Sequence, residues 1–197
     1  MIKNLKLYER VLIVVDMVNG FVYNGPLHDI ECSKIIPRQK EIIDDYLDNG
    51  DLVVFIKDTH TKDSTEFERF GNTAHCLENN SESELIKELQ KFENDEDTIS
   101  IRKNSTSFME APEFRELMKQ QTNMKEFDIV GCCTDICVAN GTIALANYLD
   151  EHNRRHTIRV HEDAIATYAE AARQNYVEAA KLLMEQQGIQ LVKKIKR

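Results

Sequence analysis

Gly131-Cys132-Cys133-Thr134-Asp135-Ile136-Cys137-Val138 is where this sequence concentrates chemistry. It follows the short apolar run Phe127 to Val130 and opens a long apolar segment with helical spacing. That context puts the Cys137 thiol at a turn from a buried strand into a helix N-terminus. Free backbone N–H groups and the positive end of the helix dipole favour an anion there. A thiol so placed has a lowered pKa and serves as a nucleophile. Thr134 or Asp135 can cap the helix. The plain alternative is an inert core cysteine, the commoner role of a thiol in an apolar segment.

Three further polar features stand at the ends of apolar runs. Asp16 directly follows Val15, where a carboxylate is costly if buried without a partner; it can also simply hydrogen-bond the turn at Asn19-Gly20. Arg102-Lys103 follows the run 98–101. A lysine there is commonly a surface residue, but one close to Asp16 and Cys137 would keep the carboxylate ionised and favour the thiolate. Asp58-Thr59-His60 ends another run, with His75-Cys76 some fifteen residues on. Alternate residues of an extended segment point the same way, so Asp58 and His60 can share a ligand that His75 closes. One carboxylate and two imidazoles suit zinc, iron or manganese, with positions left for water or substrate. Polar surface is the alternative.

These residues need a scaffold that gathers strand ends. The spacing predicts strands at 11–15, 52–56, 98–101, 127–130, 157–160 and 189–192. It predicts helices at 34–48, 82–92, 111–121, 135–149 and 168–187. Ser81 with Glu84 and Thr167 with Glu170 read as capping boxes, and Asn49-Gly50 as a helix stop. The alternation argues for an α/β protein, a three-layer α/β/α arrangement on a mostly parallel, Rossmann-like sheet. In such folds the site lies beyond the carboxyl ends of the strands. No glycine-rich phosphate loop occurs, so nucleotide binding is not indicated.

Composition bounds the rest. The 197 residues suit a single domain, residues 1–197. A formal net charge of −9 argues against a nucleic-acid surface. The basic stretch 193–197 reads as a solvated tail. No run is long enough for a membrane span, and no signal peptide is expected. Five cysteines make an odd count without the spacing of a disulfide framework, which fits a reduced, cytoplasmic protein. A homo-oligomer is expected.

The chain resembles the isochorismatase-like cysteine hydrolases over nearly its whole length, and among them the nicotinamidases. Asp16 with Phe21, Lys103 with Ser107-Phe108, Gly131 to Val138, and Asp163 to Thr167 carry the resemblance. Asp58, His60, His75 and Cys76 fit the nicotinamidase metal motif. The resemblance implies an amidase in which Asp16 is the general base, Lys103 stabilises the ionised pair and Cys137 forms a thioester. Backbone N–H groups of Cys133 and Cys137 would stabilise the oxyanion, and a cis peptide would join Cys132 to Cys133. One divalent transition metal would be held by Asp58, His60 and His75, with Glu68 as a further ligand, and would bind the ring nitrogen of nicotinamide. Phe21 and Asn72 would face the substrate; Asn72 stands where relatives have an aromatic wall, and Phe70 is a nearby substitute. The implied partner is a small amide, with nicotinamide hydrolysed to nicotinate and ammonia. A carbamoyl or ureido amide is the alternative substrate. Isochorismate ether cleavage and a non-catalytic member of the fold are further alternatives.

Overall fold

In the computed structural model, residues 6–193 are described, the side chain of residue 170 excepted. Six strands form the sheet: β1 (Arg10–Val15), β2 (Leu52–Asp58), β3 (Thr98–Lys103), β4 (Glu126–Cys132), β5 (Thr157–Ala166) and β6 (Gln190–Val192). Their order is β3-β2-β1-β4-β5-β6, and every pairing is parallel. Side chains alternate across a strand, so Val11, Ile13 and Val15 of β1 face one core while Leu12 and Val14 face the other. Both faces are covered, which is why β1 reads as an unbroken apolar run rather than an alternating one.

Helices α4 (Pro112–Gln120), α5 (Ala139–Glu151) and α6 (Glu170–Gln186) supply the first core through Leu117, Leu145 and Met184. On the other face lie α1 (Asn19–Val22), α2 (Ile36–Asp48) and α3 (Lys87–Gln90), contributing Phe21, Ile43 and Leu89. The expected three-layer α/β/α fold is therefore the observed one. Among the described residues, no helix is long and apolar enough to cross a membrane. Residues 194–197 of the expected solvated tail lie outside the described residues.

Three local expectations differ from the structure. The helix expected over 82–92 is broken into a 3-10 turn, Ser81–Ser83, and the short α3. Between them the backbone pairs elsewhere: Asn19 N–H donates to Glu84 O (2.9 Å) and Ile86 N–H to Met17 O (3.0 Å). That pairing buries Leu85 and Ile86 and overrides local helical preference. The cap is Asn80, whose side chain accepts from Glu82 N–H, not Ser81. At α6 the Thr167 hydroxyl donates to Asp135 Oδ1 (2.6 Å) instead of capping the helix. The side chain of Glu170, the other half of that expected box, lies outside the described residues. Finally, β5 extends to Ala166, with a register shift against β4 between Ile129 and Gly131.

Gly131 is required by the close approach of β4 to the end of β1. Its φ is +124°, and a Cβ there would stand 2.1 Å from Val15 O. No side chain fits that space, so the backbone can pass directly from β4 into the turn that carries Cys137.

Candidate active site

The sheet order places the functional residues side by side. Lys103 ends β3, Asp58 ends β2, Asp16 follows β1, and Cys132-Cys133 leads out of β4. These four strands are neighbours, and Asp58 lies in register with Lys103. The Thr59 N–H donates to Lys103 O (2.8 Å), carrying the ladder past the end of β2. Asp16 adopts φ +52°, a left-handed turn that aims its side chain across the strand ends.

Lys103 is the hub. Its Nζ stands 2.9 Å from Asp16 Oδ2, 2.5 Å from Asp58 Oδ1 and 3.5 Å from Cys137 Sγ. All four residues are buried. The three residues expected to act together are therefore brought together, and Lys103 has a second partner, Asp58, that spacing did not indicate. Strand pairing is invisible in a single sequence, so the register of Asp58 with Lys103 had no local signal.

Burial pushes the Asp16 carboxyl up to about 7, against the pull of Lys103. Burial works against ionising Asp58 too, yet Lys103 and hydrogen bonds from His60 and His75 hold it well below the usual carboxylate range. Burial disfavours the charged Lys103, but Asp16 and Asp58 more than offset this and keep it protonated. Burial also pushes the Cys137 thiol well up, with Lys103 opposing only in part. The expected lowering of this thiol by a helix N-terminus is thus overturned: desolvation outweighs the dipole. The Cys137 thiol and the Asp16 carboxyl thus share the Lys103 ammonium, and such a pair could serve as nucleophile and base.

The turn itself also differs from expectation. Residues Thr134–Val138 form a π-helical turn, with Val138 N–H donating to Cys133 O (3.1 Å), and α5 continues from Ala139. Cys133 occupies the cap position and no side chain caps this end. Asp135, expected as a cap, instead binds Thr167 and Arg173. The peptide bond between Cys132 and Cys133 is cis, as the resemblance implied.

Beside the hub, donor atoms of Asp58, His60, Glu66 and His75 all lie within 4.8 Å of one another, and all four residues are buried. His75 is brought there by pairing of its segment with His60: His60 N–H donates to Cys76 O (2.9 Å) and Glu78 N–H to His60 O (2.8 Å). Each imidazole is oriented through its Nδ1, His60 toward Asn104 Oδ1 (2.7 Å) and His75 toward Thr73 O (2.9 Å). That leaves both Nε2 atoms turned to Asp58, at 2.8 and 3.5 Å. Outer oxygens that fix the tautomer in this way are a regular feature of metal-binding histidines.

Glu66 pairs with the largely exposed Arg69 at 3.3 Å and lies 3.9 Å from His60 Nε2. The donor set of two imidazoles and two carboxylates fits a divalent transition ion.

Glu68 does not reach this cluster. It is exposed on the 3-10 turn Thr65–Phe70, and Glu66 takes the place expected of it. With three residues per turn, positions two apart point in different directions, so counting back from the histidine without knowing the turn type selects the wrong carboxylate.

A narrow cleft opens onto Cys137 and the metal-type cluster. Phe21, Leu27, Phe70, Ile136 and Tyr168 wall it, Thr106 adds a hydroxyl, and Cys133 lines it with Cys137. Phe21 and Phe70 flank His75 at ring-centroid distances of 5.8 and 5.9 Å. Phe21 is where it was expected. Asn72 is not: with Gly71 it forms a left-handed turn (φ +66° and +58°) that leaves it exposed, its N–H bound to Phe67 O (2.8 Å). Phe70 provides the wall. Tyr168 and Leu27 were missed; both sit in loops whose packing leaves no trace in residue spacing.

Comparison with known proteins bears on the family and the fold. Residues 10–192 match the isochorismatase domain family model. The chain is 29% identical to nicotinamidase 1 of Arabidopsis thaliana over 141 residues, covering 64% of this chain and 56% of that protein. The crystal structure of a pyrazinamidase of Pyrococcus horikoshii in complex with zinc superposes with a TM-score of 0.76 at 26% identity, covering 94% of this chain and 99% of that one. An N-carbamoylsarcosine amidase from Thermoplasma acidophilum shares the fold, with a TM-score of 0.74 at 23% identity over 96% and 98% of the two chains. A family match over most of the chain, on a fold whose strand ends converge on one buried site, establishes that this protein belongs to the isochorismatase family of hydrolases.

Proposed function

We propose that the protein is a cysteine amidase that hydrolyses nicotinamide to nicotinate and ammonia. The observation that carries this reading is the Lys103 ammonium, which ties Asp16, Cys137 and Asp58 into one buried group beside an aromatic-walled cleft. Asp16 takes the Cys137 proton as the sulfur attacks the amide carbonyl carbon. The carbonyl oxygen becomes an oxyanion, held by the backbone N–H groups of Cys133 and Cys137. Asp16 returns the proton to the leaving nitrogen, ammonia departs and a thioester remains. Asp16 then draws a proton from water, which attacks the thioester, and the acid leaves as the thiol re-forms. Lys103 holds Asp16 in line and offsets the charge that moves between carboxylate and sulfur.

Asp58, His60, Glu66 and His75 would hold a divalent transition ion, which supplies a Lewis acid for the ring nitrogen of the substrate. Phe21 and Phe70 would then flank the pyridine. The test is ammonia release from nicotinamide against benzamide, which has the ring shape without the ring nitrogen. Nicotinamide is expected to be hydrolysed well and benzamide poorly. Equal turnover of the two, or turnover of only a carbamoyl or ureido amide, would replace this reading.

A further inference from the structure

Three cysteine thiols that the proposed reaction does not use converge next to the cleft. Cys32 comes from the 3-10 turn Ile30–Ile35, Cys132 ends β4, and Cys133 follows it. All three are buried and free, and their Sγ atoms all lie within 4.8 Å of one another. The Cys132 thiol donates to Asp16 O (3.2 Å), which anchors the group to the catalytic turn. One buried cysteine is ordinary packing. Three sulfurs at mutual contact distance, with no nitrogen or carboxylate in the group, form a soft donor set.

Geometry and charge narrow what it takes. Around a pyramidal trivalent centre with bonds of about 2.3 Å and angles of about 95–100°, three sulfurs stand about 3.4 Å apart. From separations of at most 4.8 Å, the cluster needs to close by no more than about 1.4 Å. A buried site disfavours net charge. Three thiolates leave two negative charges around a monovalent ion and one around a divalent ion. Around a trivalent centre they leave none. We propose that Cys32, Cys132 and Cys133 form a binding site for a trivalent thiophilic metalloid, distinct from the oxygen and nitrogen donors at Asp58, His60, Glu66 and His75. With arsenous acid, three S–As bonds form and three As–O bonds break. Each thiol proton leaves with a hydroxide as water, and arsenic stays trivalent. Cys133 lines the cleft and provides the way in. Because Cys133 opens the turn that bears Cys137, a loaded site stops turnover with the Cys137 thiol still free.

The test is to treat the full chain with arsenous acid, remove excess reagent, count bound arsenic and map which cysteines resist alkylation. Wild type and Cys137→Ser are expected to retain one arsenic per chain, with Cys32, Cys132 and Cys133 protected. Cys32→Ala and Cys133→Ala, checked for native circular dichroism, are each expected to weaken retention by at least about tenfold. Should Cys32→Ala fail to fold, Cys133→Ala and the protection map decide. Loss of arsenic in Cys137→Ser, protection of Cys137 itself, or full retention in either folded alanine variant overturns the proposal. These readouts do not depend on which amide is the substrate. In an activity assay, Cys32→Ala is expected to turn over normally and to resist arsenous acid.

Discussion

Replacing Lys103 with methionine removes the cation between two buried carboxylates and leaves the stem of the side chain nearly unchanged. Lys103 Nζ stands 2.9 Å from Asp16 and 2.5 Å from Asp58. At an effective dielectric of about 20, Coulomb's law gives gross attractions of about 6 and 7 kcal/mol at those distances. Desolvation offsets much of this, and losing one partner of a buried pair costs a net of about 3–5 kcal/mol. That is a large part of a typical domain's stability of about 5–15 kcal/mol, so the variant is expected to fold but to unfold at markedly lower denaturant. The pH dependence has a definite sign. The folded value of Asp16, about 7, lies above that of a free carboxyl. Losing Lys103 raises it further. Between the unfolded and folded values the folded state binds more protons, so its stability falls as pH rises. The deficit of Lys103→Met relative to wild type is therefore largest near pH 8 and smaller near about 5.5. Activity follows the same group. In wild type, kcat/KM should rise with pH through about 7 as Asp16 ionises. In the variant that limb should move to higher pH by at least about one unit, equivalent to about 1.4 kcal/mol. A stability loss below about 1 kcal/mol together with an unmoved limb would refute the placement of Lys103 as the hub.

Other substitutions separate the parts of the site. Cys137→Ser should abolish turnover with the melting temperature retained, because a hydroxyl is far harder to ionise than a thiol; near-normal activity removes the thioester. Glu66→Ala should weaken metal retention, measured by elemental analysis, by at least about tenfold, while Glu68→Ala should not. The reverse result would restore Glu68 as the ligand. Phe70→Ala should raise KM for nicotinamide by about three- to twelvefold through loss of a ring contact, whereas Asn72→Ala should leave it unchanged. Equal effects would mean that the turn at 71–72 is not fixed outward.

The fold was legible because burial on both faces of a parallel sheet writes itself as solid apolar runs such as Val11–Val15, and the intervening helices are long. Asp16 and Lys103 were legible as candidates because each stands at the end of such a run, and Cys137 because it lies at the turn that follows one. What escaped has a common cause, tertiary pairing that no local pattern records. Residues 84–86 bond to 17–19 rather than continuing a helix. Asp58 meets Lys103 through strand register. The choice of Glu66 over Glu68 depends on a 3-10 turn, and that of Phe70 over Asn72 on a left-handed turn. The protonation state of Cys137 also escaped, since its burial is a property of the whole packed site.

The proposed reaction depends on Cys137 carrying the acyl group of the amide. Acid quenching of the enzyme during turnover of nicotinamide, followed by mass spectrometry of its peptides, tests this directly. A nicotinoyl thioester is expected on the peptide containing Cys137 and on no other. Ammonia release with the acyl group on a different residue would contradict it.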